Sequence, residues 1–147
     1  KHDGVDAGIA AEVAHHLVEA NLFGHDSHGV GMLPQYCSNL ARGRCRGHGT
    51  PKQIRQEGAV LVMDAEKLFG QSALRQAVEC AARVAKEHGV CALTLRQVHH
   101  IGRTGAYAEQ AASLGLASLF FANINDHAPL VAPFGGADAR GSTNPIS

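Results

Sequence analysis

The sequence predicts an α/β or α+β chain, a mixed sheet with covering helices. Three observations carry that prediction. Residues 71–87 place apolar side chains at helical spacing. Residues 90–95 and 116–122 are short, nearly continuous apolar runs. A helical stretch, 104–113, separates them. Strand, loop, helix and strand make a crossover unit, and such units favour parallel pairing. The two runs are therefore expected to be neighbouring strands, buried on both faces.

The first element is a helix. Val5, Ile9, Val13, Leu17 and Ala20 make one apolar stripe, and Gly24 is a plausible stop. His15 and His16 lie beside that stripe and read as structural. Asp26 or Ser27 is expected to cap a second helix reaching about Arg42, with Pro34 delaying or kinking it. Residues 42–51 are Gly-rich and aperiodic, so they read as loop. Residues 53–56 and 59–64 read as two short strands around Glu57-Gly58. In the helix at 71–87, Ser72 is expected to cap, Leu74, Val78, Ala81 and Ala85 to share a face, and Gly89 to end it. Residues 1–50 are expected to form an N-terminal helical segment. Residues 51–147 are expected to be the first part of an α/β cofactor and substrate domain.

Composition narrows the function. Hydrophobic residues make up 45% and charged residues 18%, which suits a soluble globular protein. Net charge is zero with no Lys/Arg block, so a nucleic-acid partner is not expected. No apolar run is long enough to span a bilayer, so no membrane partner is expected. Cys37, Cys45, Cys80 and Cys91 lack CxxC spacing and are expected to be reduced thiols of a cytoplasmic protein. The chain lacks an initiator Met and ends on Asn144-Pro145-Ile146-Ser147, which reads as a strand beginning. It is expected to be a piece of a longer protein.

Three constellations could carry chemistry. In Gly24-His25-Asp26-Ser27-His28-Gly29, adjacent residues cannot adopt triad geometry, and no G-x-S-x-G elbow is present. A helix cap is the plain reading; a proton-exchanging His28 at a helix start is the functional one. Val98-His99-His100-Ile101-Gly102-Arg103-Thr104-Gly105 follows a strand and opens a helix, a place where ligands gather. Gly102 and Gly105 would let backbone approach a ligand, and a histidine there suits acid/base work. The alternative is a Gly-rich turn with a satisfied histidine. The third constellation is the loop Pro129 to Gly136, followed by Gly141-Ser142-Thr143-Asn144-Pro145, which is either functional or a plain connection. Ten histidines invite a metal reading, with His25, His28, His99 and His100 as candidates, but no recognised zinc spacing occurs. No metal is expected.

Taken together, these residues carry a resemblance. His25-Asp26-Ser27-His28-Gly29-Val30 with Leu33-Pro34 and Tyr36 resembles the Ser-His-Gly signature of the malate/L-lactate dehydrogenase family. His99-His100-Ile101-Gly102 resembles its His-x-Gly signature, and the third constellation resembles its third block. All stand in the family's order, and the likeness covers nearly the whole chain. Within the family it leans toward a bacterial hydroxycarboxylate dehydrogenase branch. The resemblance implies a non-Rossmann fold, which agrees with the missing GxGxxG. It also implies a homodimer and NAD or NADP as cofactor.

By resemblance, the reaction is oxidation of a small 2-hydroxyacid to the 2-oxoacid. His100 would be the acid/base, kept neutral by a nearby helix start. Ser27 and His28 would support it. Tyr36, Thr143 and Arg103 would bind substrate. His100, Ile101, Gly102, Arg103 and Thr104 would touch the cofactor. Many members carry an Arg four residues after the motif histidine, where this chain has Met32. That departure weakens an imine-reductase assignment. Two alternatives stand beside the dehydrogenase: a metal-dependent hydrolase or lyase using His25, His28 and His100, and an inactive dimerisation fragment.

Overall fold

The computed structural model describes residues 4–124, 132, 134–137 and 145–147. Helix α1 spans Ala7–Leu22 and buries Ile9, Val13, His16, Leu17 and Ala20. Gly24 follows at φ +71°, the left-handed conformation that turns the chain out of the helix. The predicted second helix does not begin at Asp26. Two single 3₁₀ turns, Asp26–His28 and Val30–Met32, come first, and neither Asp26 nor Ser27 caps through its side chain. Helix α2 then runs over Leu33–Ala41 with Pro34 in its first turn. A proline there loses no helical hydrogen bond, so α2 starts late instead of kinking.

The sheet has three strands in the order β1-β2-β3: Lys52–Glu57, Val60–Asp64 and Ala92–Arg96. β1 and β2 form an antiparallel hairpin turning at Gly58, which sits at φ +52°. β2 pairs in parallel with β3, from Val60↔Ala92 to Asp64↔Arg96. The link between them is helix α3, Gly70–His88, which Gly89 ends in the left-handed conformation. Ser72 does not cap α3. It is buried inside the first turn, where its hydroxyl accepts from Gln76 Nε2.

The parallel crossover is thus β2-α3-β3, one unit earlier than expected. β3 is not buried on both faces: it alternates exposed and half-buried positions, and Val90 before it is 63% exposed. Residues 116–122 form no strand beside β3. Their alternate side chains Leu116 and Phe120 pack on the core. Their backbone pairs instead with 145–147, through Phe120 and Ser147 in both directions. Leu119 and Phe121 face outward. In both runs every second residue is half-buried, with Leu93 and Leu95 of β3 packed on the core.

Two clusters form the core. One joins Ile9, Val13 and Leu17 of α1 to Tyr36, Cys45, Leu68, Phe69 and Ala73. The other joins Leu61 and Met63 to Leu74, Ala77 and Val78, and to Tyr107 and Ala111 of helix α4, Gly105–Ser113. Buried Asp64 at the end of β2 accepts from Arg96 Nε at 2.8 Å and from the Glu66 N–H, tying the carboxyl ends of β2 and β3. The chain leaves β3 through Gln97 at φ +49°, a strained turn that delivers residues 98–104 to the site. All four cysteines are free thiols. Among the described residues, no helix is long and apolar enough to cross a membrane.

Candidate functional site

The site lies where the loop after β3 meets the turns after α1 and the start of α2. Gly70, the first residue of α3, makes this approach possible. A Cβ on it would lie 2.3 Å from the His99 carbonyl oxygen and 2.4 Å from that of His100.

His100 is half-buried, and its Nδ1 lies 2.6 Å from Tyr36 Oη. Tyr36 Oη in turn accepts from Gln71 Nε2 at 2.8 Å. Tyr36 and Gln71 are almost wholly excluded from solvent. Burial holds the His100 imidazole down at about 4, helped by His28, His99 and His16. It is therefore neutral near pH 7. The cause differs from the expected helix start: it is desolvation of the cation in a cluster of rings. Burial also pushes the Tyr36 hydroxyl up to about 12, against the Gln71 hydrogen bond, which lowers it.

The His28 ring stacks on His100, with centroids 5.1 Å apart, and takes the edge of His25 at 4.8 Å. Ser27 Oγ lies 2.8 Å from His28 Nδ1. Burial, then His25, lowers the His28 pKa as well. Asn21 on α1 holds this turn from beneath. It donates to Asp26 Oδ1 and accepts the Val30 N–H at 2.8 Å. A Cβ on Gly29 would sit 2.2 Å from Asn21 Oδ1, so the motif glycine makes room for a side chain of its own protein.

His99 contacts a different set of side chains. Asn39 Nδ2 donates to its Nε2 at 2.9 Å, and its ring meets those of Tyr36 and Phe69 edge-on. The loop beyond His100 is clamped inward. His16 Nε2 accepts the Arg103 N–H at 2.9 Å, and Tyr107 donates its hydroxyl to the Ile101 carbonyl. The bare Cα of Gly102 approaches His16, not a ligand: a Cβ would meet Nε2 at 2.3 Å. Gly105 likewise makes room for a neighbour, the Arg103 guanidinium.

Among the predicted site residues, the structure brings Ser27, His28, Tyr36 and His100 together. Arg103 is occupied elsewhere. Its guanidinium grips both Glu109 oxygens, at 2.7 and 2.9 Å, and lies 4.3 Å from the Phe23 ring centre. Thr104 Oγ1 lies 2.7 Å from Ser147 Oγ. Thr143 falls outside the described residues, as does most of the third constellation. Among the described residues, no group of three or more His, Cys, Asp or Glu is placed to hold a metal ion. An apolar groove of about 760 Å³ between α1 and α2 reaches Tyr36 and Phe69. Gln71, Asn21 and Gly70 were not singled out from the sequence. Gln71 and Asn21 are polar helix residues whose partners are remote or follow the helix end, so periodicity carries no sign of them.

The chain is similar to known proteins. Residues 1–147 match the family described as malate/L-lactate dehydrogenase. The chain is 42% identical to hydroxycarboxylate dehydrogenase B of Escherichia coli (strain K12), over 97% of this chain and 39% of that protein. It is also 42% identical to an L-lactate dehydrogenase of Cupriavidus necator, over 97% of this chain and 41% of that one. The solved malate dehydrogenase of Pyrococcus horikoshii OT3 superposes with a TM-score of 0.86 at 34% identity, covering 97% of this chain and 40% of that structure. The chain therefore spans about two fifths of the length of the relatives it matches.

Proposed function

The chain belongs to the malate/L-lactate dehydrogenase family, and from that premise we propose that the protein interconverts a small 2-hydroxyacid and its 2-oxoacid by hydride transfer with NAD or NADP. The observation that carries this reading is His100: a neutral, half-buried imidazole with Nδ1 engaged by Tyr36. Among the described residues, its Nε2 takes no hydrogen bond. Such a group can give a proton to a carbonyl oxygen or take one from a hydroxyl near neutral pH. The printed names of the relatives, hydroxycarboxylate, lactate and malate dehydrogenases, support the substrate class.

A bound nicotinamide would supply the hydride donor or acceptor. In the stretch proposed to touch it, the Ile101 carbonyl, the Gly102 Cα and the Arg103 N–H are turned inward. The His100 ring and the Thr104 hydroxyl are the groups that fit a cofactor edge. His28, held by Ser27, backs the His100 ring and keeps water from it. Tyr36 is covered, so it acts on substrate through His100. Thr143 and Arg103 are the proposed substrate contacts, and Arg103 would have to exchange Glu109 for a substrate carboxylate. The family also suggests a homodimer in the cytoplasm.

A panel of 2-hydroxyacids and 2-oxoacids, each with both nicotinamides and read by absorbance of the reduced cofactor, tests the activity. Turnover of at least one pair is expected. No turnover across the panel, together with stoichiometric zinc in the pure protein, would favour the hydrolase or lyase instead. Light scattering at monomer mass would count against the dimer.

A further inference from the structure

A neutral imidazole carries one proton, so whatever engages Nδ1 also decides the state of Nε2. At His100, Nδ1 faces the Tyr36 hydroxyl. That oxygen already accepts from Gln71 Nε2. If Nδ1 donated to it as well, the hydroxyl hydrogen would be left without an acceptor among the described residues. With the amide in this orientation, Tyr36 donates to Nδ1 and the imidazole proton sits on Nε2. Gln71 is 0% exposed and Tyr36 1%, so bulk water offers neither an alternative partner.

We propose that Gln71 is the positioning residue that sets the tautomer of His100, acting through the Tyr36 hydroxyl. While the Gln71 amide donates, Nε2 carries the proton and suits the carbonyl oxygen of a 2-oxoacid. If the amide turns, its Oε1 accepts from Tyr36, Tyr36 accepts from Nδ1–H, and Nε2 is bare, which suits a hydroxyl. The two arrangements hold the same number of protons and differ only in their order along the chain. One observation makes the turn available: Gln71 Oε1 is buried and has no hydrogen-bond partner among the described residues, so no second bond locks the amide. The chemical meaning of this device rests on the proposed role of His100. The tautomer itself does not.

The test is ¹⁵N NMR of the histidine rings in the full chain at neutral pH, without ligands. The His100 signals are assigned by their loss in His100→Gln. In the native protein His100 should show a protonated Nε2 and a bare Nδ1. Gln71→Met keeps the side-chain length and removes the amide, so the His100 signals should move toward an average of the two tautomers. Tyr36→Phe, which removes one oxygen, should do the same and serves if Gln71→Met does not fold. A proton on Nδ1 that stays there in folded Gln71→Met overturns the proposal, because Gln71 would then not set the tautomer. So does an unchanged Nε2–H form in either folded variant. Because the signal is read without substrate, a failed dehydrogenase assay leaves this result standing, and a failed tautomer test leaves the dehydrogenase reading standing.

Discussion

The imidazole of His16, on the first helix, accepts the backbone N–H of Arg103 at 2.9 Å, a bond spanning 87 residues. It clamps the loop that carries His100, and it works only while Nε2 is unprotonated. Burial, then Arg103, Arg75, His15 and His28, hold the His16 pKa down at about 4.

The sign of the resulting pH dependence follows. The folded pKa lies below the unfolded value of 6.5, so the unfolded chain binds more protons between them. The stabilisation is complete above pH 6.5 and is lost as pH falls toward 4. For His16 it is on the order of 3 kcal/mol. Urea midpoints measured from pH 7 to pH 4 should fall steeply in the native protein and less steeply in His16→Gln. An equally steep fall in the variant would refute the clamp.

Glycines divide by their surroundings. Gly70→Ala pushes a methyl group against two backbone carbonyls of the His99-His100 loop and should cost about 2–3 kcal/mol. Gly8, in α1, has nothing within 4 Å of its would-be Cβ. Gly8→Ala should stabilise by about 0.5–1 kcal/mol. Thermal or urea unfolding checks both, and a neutral Gly70→Ala would mean that the loop gives way freely.

Gly29 and Asn21 should be coupled. Gly29→Ala alone collides with the Asn21 amide and should distort the Ser27-His28 turn. In an Asn21→Ala background the same change should be milder by about 1 kcal/mol or more. A double-mutant cycle that comes out additive would show that Asn21 does not dictate the glycine.

For the chemistry, His100→Ala in the active enzyme should lower kcat by about 10²–10⁴ with cofactor affinity nearly intact. His99→Ala should do least, because its ring packs with Phe69 and Asn39, and His28→Ala should fall between. The acid limb of kcat/KM, which reports the free enzyme, should lie well below 6.5, toward the depressed value of His100. If His100→Ala turns over normally while His28→Ala is dead, the Ser-His-Gly turn carries the proton.

What could be read along the chain was local. The stripe of α1, the apolar face of α3, the stops at Gly24 and Gly89 and the hairpin at Gly58 all follow from spacing within one element. His28, beside Gly29, and His100, between a strand and a helix start, stood out by position, and the resemblance gave them their roles. Tertiary structure alone decided the rest. Residues 116–122 carry the apolar character of a strand, yet their backbone pairs with 145–147, because a short apolar run does not specify its partner. The bonds that define the site join His16 to Arg103, Tyr36 to His100 and Gln71 to Tyr36, across 87, 64 and 35 residues. Hydrogen bonds of that kind leave no periodic trace. A polar side chain's partner is set by where the elements pack, and only the packed chain reveals it.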